Sequence, residues 1–291
     1  MTSHDVYLLA LAANVFFSTA SLVFSVYAKR FSPLWMNQLK VSISVICFAL
    51  ACFATGWVDI PFAAVSFLLL SGIIGLCVGD ILLFKAFTTL GPARSLVLFS
   101  FEPLFLGLYG WFFLKQGFSS GQIGAVGCMV ACLMVFVLER SKQVGHWDLR
   151  SFFWAFSGIV LDSVGVMLTR SAYEIAPNLE SMQVNTIRCI GALIGFLIIM
   201  PNGQLKMWKD VILMKTRERF FILTACLCGT FISLSLYLAA LKYAHVASLT
   251  AVAITGPVWV SLLECLWERK LPNRYLVVAF LFFLAGFYLM S

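Results

Sequence analysis

Apolar residues run through this chain in long blocks, and short polar segments interrupt them at nearly regular intervals. The hydrocarbon core of a bilayer is about 30 Å thick and takes about 20 apolar residues of helix to cross. Blocks of that length fall at about 6–28, 33–54, 62–86, 93–114, 119–138, 151–173, 179–200, 219–241, 246–267 and 272–290. Between them stand Ser32-Pro33, Gly91-Pro92, Ser119-Ser120-Gly121, Pro177-Asn178 and Leu271-Pro272-Asn273, all turn-forming or helix-ending residues. Unpaired backbone groups are costly in lipid, so each block is predicted to be a helix. The pattern predicts an all-α integral membrane protein of ten spans, with no stretch left for a soluble domain.

A second regularity lies on top of the first. The segment from Ala86 to Leu96 aligns with the segment from Ala240 to Thr250 at a constant offset of 154. The same offset sets Pro103 on Pro257 and Lys115-Gln116 on Arg269-Lys270. Earlier in each half, Asn37-Gln-Leu-Lys40 matches Asn185-Thr-Ile-Arg188 at an offset of 148. The chain therefore divides into two five-span units, residues 1–144 and 145–291. Five is odd, so the second unit enters the membrane facing the other way. Inverted repeats of this kind give many secondary transporters their alternating access.

Composition agrees with the pattern: 62% of the 291 residues are hydrophobic and 11% are charged, against about 25% charged in soluble domains. The net charge of +7 forms no basic face interleaved with aromatics, so nucleic acid is not an expected partner. The cations sit in loops instead. Loops after odd-numbered spans hold fourteen Lys and Arg, among them Lys29, Arg30, Arg140, Lys206, Lys215, Arg217 and Arg274. The positive-inside rule makes that side cytoplasmic and puts both termini outside. The N-terminus has no cationic region before its first apolar block, so that block is expected to stay as a span and not be removed as a signal peptide. All nine cysteines lie in apolar blocks, where they read as packing residues. His4, His146 and His245 lie near span ends, which speaks against a metal-dependent hydrolase. No cofactor, metal or nucleotide motif is found.

Ionisable groups inside a span cost about 2.5–3.5 kcal/mol on insertion scales and normally face a cavity or a partner. Lys40, Asp80, Glu102, Asp162 and Arg188 lie at such depths, and Lys85 lies nearer a span end. Asn14 and Ser18 share a face of the first span, one turn apart, and would add neutral polar contacts. These eight are the candidate substrate-binding or coupling residues. The repeat puts Lys40 and Arg188 at equivalent positions, near one central axis. Glu102 precedes Pro103, whose missing N–H and bulky ring disturb the helix one turn earlier, and Pro257 would do the same opposite. A carboxyl group at such a break can exist as acid or anion, which makes Glu102 the leading candidate for proton coupling, ahead of Asp80 and Asp162. Gly75 and Gly79 belong to a small-residue ridge that lets a neighbouring helix approach closely. The bland alternative is that the charges are buried ion pairs, for example Asp162 with Arg188. Phe231, Tyr237, Thr255 and Trp259 are candidates for the opposite wall, or for packing.

The Ala-x5-Pro-Ala-x9-Pro pattern at Ala86, Pro92-Ala93 and Pro103, echoed at Ala240, Val246-Ala247 and Pro257, resembles the drug/metabolite transporter superfamily, in its ten-helix EamA-type branch. Leu266-Trp-Glu-Arg-Lys-Leu-Pro-Asn is similar to the turn that follows the family's ninth helix, whereas Lys115-Gln116-Gly117 in the first copy lacks the Glu. The resemblance implies a cavity between the halves, surrounded mainly by spans 1–4 and 6–9. It implies a non-enzymatic carrier, placed in the bacterial inner membrane, whose partners are the bilayer, a small molecule and protons. Cations and carboxylates near one midplane suit a zwitterion such as an amino acid. The rival readings are a lipid-carrier flippase and an intramembrane carboxylate enzyme.

Overall fold

A computed structural model describes residues 3–98, 149–243, 256–269 and 274–290, together with Leu271 and part of 101–138. Every element in these residues is helical. Among the described residues, six helices are long and apolar enough to cross a membrane. We label the helices α1 (Ser3–Arg30), α2 (Pro33–Thr55), α3 (Phe62–Thr89), α4 (Pro92–Leu98), α5 (Leu149–Ile175), α6 (Ser181–Ile199), α7 (Gly203–Leu213), α8 (Thr216–Lys242), α9 (Gly256–Glu268) and α10 (Arg274–Met290). Helices α1, α2 and α3 are the first three predicted spans, and α5, α6 and α8 are the sixth, seventh and eighth. Spans 4, 5, 9 and 10 lie partly outside the described residues. Leu50, Phe53, Phe62, Ile198 and Phe220 point outward from the bundle, as lipid-facing side chains do.

Local chemistry sets the helix ends. The Ser32 hydroxyl accepts from the Trp35 N–H at 3.0 Å, and Pro33 fills the first helical position of α2, where a missing N–H costs nothing. Gly56 ends α2 at φ 95°, and Gly91 turns the chain between α3 and α4 at φ 87°; both conformations strongly favour glycine.

The hydropathy pattern predicts a connection over 201–218, but α7 occupies much of it. At eleven residues it is too short to span. It turns Met207 and Val211, one helical turn apart, into the core beside Met36 and Ile222. The Trp35 indole N–H donates to Asp210 Oδ2 at 3.0 Å and ties α7 to α2.

The two repeats interlock. Helix α3 packs on α5 and α6, while α8 packs on α1, and α2 packs on α6. The α3–α5 contact runs along glycines: a Cβ on Gly158 would lie 3.0 Å from the Gly79 carbonyl oxygen, and one on Gly165 3.1 Å from Gly75 Cα. The α3–α6 contact is closer still, since a Cβ on Gly72 would fall 1.8 Å from the Arg188 carbonyl oxygen. On the other side a Cβ on Gly229 would lie 2.2 Å from Ala20 Cβ. Gly75 and Gly229 are related by the offset of 154 that relates the halves.

Both glycines lie in π-helical stretches, Gly72–Gly79 in α3 and Leu227–Ile232 in α8. Widened turns of this kind disturb the hydrogen-bond ladder and recur at functional sites. The Asn37 amide donates to the Leu76 and Cys77 carbonyls at 2.8 and 3.1 Å. Asn185, its counterpart in the repeat, donates to Leu234 O at 3.2 Å, just past the second stretch. One asparagine in each half thus holds the widened helix of that half.

Candidate functional site

Where these helices meet they line a partly open cavity of about 120 Å³. Helix α1 supplies Asn14 and Phe17, α2 supplies Lys40, α3 supplies Leu76 and Asp80, and α5 supplies Asp162. Glu102 enters from the chain beyond α4, and Thr230, Ser233 and Tyr237 from α8; Gly256 opens α9. Both repeats therefore contribute to one chamber.

Its polar groups are joined in part. The Lys40 ammonium, 3% exposed, forms an ion pair with Asp80 Oδ2 and lies 5.1 Å from the centre of the Phe84 ring. Asp80 begins the regular helix where the π-helical stretch of α3 ends. Glu102 is buried, and its Oε1 accepts from the Tyr237 hydroxyl at 3.3 Å. Asp162 lies across the glycine seam, where a Cβ on Gly75 would be 3.4 Å from its Oδ1. Three carboxyl groups share the chamber with one ammonium, and that ammonium is engaged by Asp80. Buried charge demands a counter-charge or a proton, so the Glu102–Asp162 side is suited to receive one.

Five of the eight candidate residues line the chamber: Asn14, Lys40, Asp80, Glu102 and Asp162. The other three lie outside the lining. The Ser18 hydroxyl donates to Gly256 O at 3.0 Å, which fastens α9 to α1. Lys85 Nζ lies 3.8 Å over the Trp154 ring, a cation–π contact between α3 and α5. Arg188, 1% exposed, donates from Nε to Ser71 Oγ at 2.9 Å, and its Nη1 has no hydrogen-bond partner among the described residues. Asp162 and Arg188 do not form the ion pair of the alternative reading; among the described residues Lys40 with Asp80 is the buried pair. Pairing follows helix adjacency: α2 lies against α3 and brings the two together. Pro103 and Thr255 lie outside the described residues, as does the Pro257 side chain. Phe231 packs on Phe48 with ring centres 4.9 Å apart, and Trp259 is partly exposed.

Thr230, Ser233 and Gly256 escaped the sequence reading. Gly256 did leave a signal, because the offset of 154 that puts Pro257 on Pro103 also puts Gly256 on Glu102. Ser233 donates to Ala13 O at 2.9 Å and so braces the wall between α8 and α1. Neither hydroxyl residue belongs to a repeat motif, so no spacing singled it out.

A search of curated proteins finds no match. A solved crystal structure superposes with a TM-score of 0.70 over 100% of this chain and 97% of its own, at 16% sequence identity, which places the fold. The EamA-like transporter family matches residues 5–138 and again 149–291, two copies that fit an inverted repeat. The chain belongs to the EamA-like transporter family, a family of membrane transporters.

Proposed function

We propose that this protein is a secondary active transporter of a small molecule with a protonated amine, an amino acid or related zwitterion, bound in the central chamber. The observation that carries the reading is the charge arrangement, in which Lys40 is held by Asp80 while Glu102 and Asp162 have no cationic partner among the described ion pairs. The substrate's ammonium group would sit between Glu102 and Asp162. Its carboxylate would compete with Asp80 for Lys40, and Asn14 and Tyr237 would orient the rest.

Size supports a small substrate. The chamber of about 120 Å³ is well below the range of about 300 Å³ or more that drug-sized ligands need. Alternating access would come from rocking of the two inverted halves about this site. Glu102 would carry the coupling proton, released or taken up as the substrate amine arrives. The family resemblance supports a place in the bacterial inner membrane, and the loop charges support both termini outside.

The test is uptake into proteoliposomes of labelled amino acids, a dicarboxylate and a neutral sugar, each with and without a pH gradient. Amine-bearing solutes should accumulate in response to the gradient, and Asp162→Asn should raise their half-saturating concentration. Preference for the dicarboxylate or the sugar would refute the reading.

A further inference from the structure

We propose a second, separate site: a lateral groove, formed by the end of α1, the start of α4 and the start of α8, that holds an anionic glycerophospholipid. The groove has a volume of about 470 Å³, larger than the central chamber. Val23, Val26 and Phe221 line its apolar part, and Lys29, Arg217 and Glu218 its polar part. Val26 and Phe221 are 57% and 46% exposed, so the groove opens toward the surroundings of the bundle and not into the core.

Charge decides the occupant. Glu218, the groove's one acidic lining residue, is already paired with Arg30 at 2.9 Å. Tyr27 donates its hydroxyl to the Glu218 backbone carbonyl at 3.1 Å and fixes that corner. Among the described residues, Lys29 and Arg217 form no ion pair and remain as two cations of the groove. Arg217 lies 5.8 Å from the centre of the Phe221 ring, at the border between the polar and apolar parts. Lys29 belongs to the last turn of α1 and Arg217 to the first turn of α8, the depth at which lipid headgroups lie. An anionic phosphate would sit between the two cations while an acyl chain follows Val23, Val26 and Phe221 inward. This side also carries the excess of loop cations, and the cytoplasmic leaflet that such loops face is the one rich in anionic lipid. A soluble anion would use the cations and leave the apolar part empty. The lipid uses both.

The site can be tested on the whole purified protein by native mass spectrometry, with added phosphatidylglycerol, phosphatidylcholine and glycerol phosphate. The wild type should retain phosphatidylglycerol in preference to phosphatidylcholine, and glycerol phosphate should not displace it. Lys29→Gln with Arg217→Gln should lower the preference roughly thirtyfold, about fivefold for each charge. Lys206→Gln with Lys209→Gln on α7 removes the same net charge elsewhere and should leave the preference intact. A melting temperature in neutral lipid equal to that of the wild type identifies a folded double variant. Val26→Trp, which fills the apolar part without touching a charge, should also weaken phosphatidylglycerol retention. Equal retention of both lipids by the wild type, an unchanged preference in the folded double variant, or displacement by glycerol phosphate would each overturn the proposal.

Discussion

The two repeats place similar backbones around the chamber but give it different chemistry. In the first repeat α3 carries Asp80, and the chain beyond α4 carries Glu102. The offset of 154 maps these positions onto Leu234 and Gly256, and all four residues line the chamber. The cations show the same divergence. Lys40 faces the chamber and meets Asp80, whereas Arg188, its counterpart, is sunk against Ser71 with Nη1 unpartnered among the described residues. The repeat thus supplies a symmetric frame, visible in Gly75 with Gly229 and in Asn37 with Asn185. The charged lining divides unequally over that frame, with Lys40, Asp80 and Glu102 from the first repeat and Asp162 from the second. Full symmetry would give each half the same charged groups, but among the described lining residues the first half supplies two carboxyl groups and an ammonium and the second half one carboxyl group.

The largest expected effect comes from making the first half resemble the second. Asp80→Leu leaves the Lys40 ammonium buried without its carboxylate, and breaking one side of a buried pair costs about 3–5 kcal/mol. Lys40→Met with Asp80→Leu removes both charges and should recover most of that loss without recovering transport. Thermal unfolding of both singles and the double gives the coupling directly. Additive losses would show that the pair does not hold α2 to α3.

The glycine pair sharpens the comparison next. A Cβ at Gly229 meets Ala20 Cβ at 2.2 Å, so Gly229→Ala forces α8 away from α1 and should cost about 1–3 kcal/mol. At Gly75 the nearest atoms lie 3.4 Å away, and alanine's helix preference of about 1 kcal/mol offsets the tight fit. Gly75→Ala should therefore be nearly neutral in the same melting experiment.

The equivalent cations should separate in transport. Lys40→Met is expected to raise the half-saturating substrate concentration about tenfold, the equivalent of about 1.4 kcal/mol. Arg188→Met, behind the chamber wall, should change it less than about threefold. Concentration dependence of uptake in proteoliposomes reads both. The smallest effect belongs to the Arg30–Glu218 bridge, whose side chains are 52% and 33% exposed. Glu218→Gln should shift stability by less than about 1 kcal/mol.

Much of this architecture was legible in the chain, because length and hydropathy answer directly to bilayer thickness. The first, second, third, sixth, seventh and eighth spans each coincide with a membrane-length helix. The repeat was readable from Ala86, Pro92 and Pro103 against Ala240 and Pro257, and from Asn37 against Asn185. Helix α7 was missed because eleven residues are too few to register as a span, although Met207 and Val211 carry its one-turn spacing. The π-helical stretches were not legible, since the widened turn is held by an amide from another helix. Which charges pair was not legible for a related reason, as the alternative of Asp162 with Arg188 shows. Depth in a span says that a charge needs a partner, but helix rotation and adjacency decide which one. Lys85 shows the same limit, with its charge spent on Trp154 outside the chamber.

The central claim is that the carboxylate side of the chamber, and Glu102 above all, couples substrate movement to protons. Glu102→Gln keeps the size of the side chain and leaves an acceptor for the Tyr237 hydroxyl, but it cannot titrate. Proteoliposomes carrying Glu102→Gln should still exchange labelled for unlabelled substrate and should fail to accumulate it when a pH gradient is imposed. Accumulation by Glu102→Gln with the wild-type pH dependence would contradict the account and make Glu102 a structural residue.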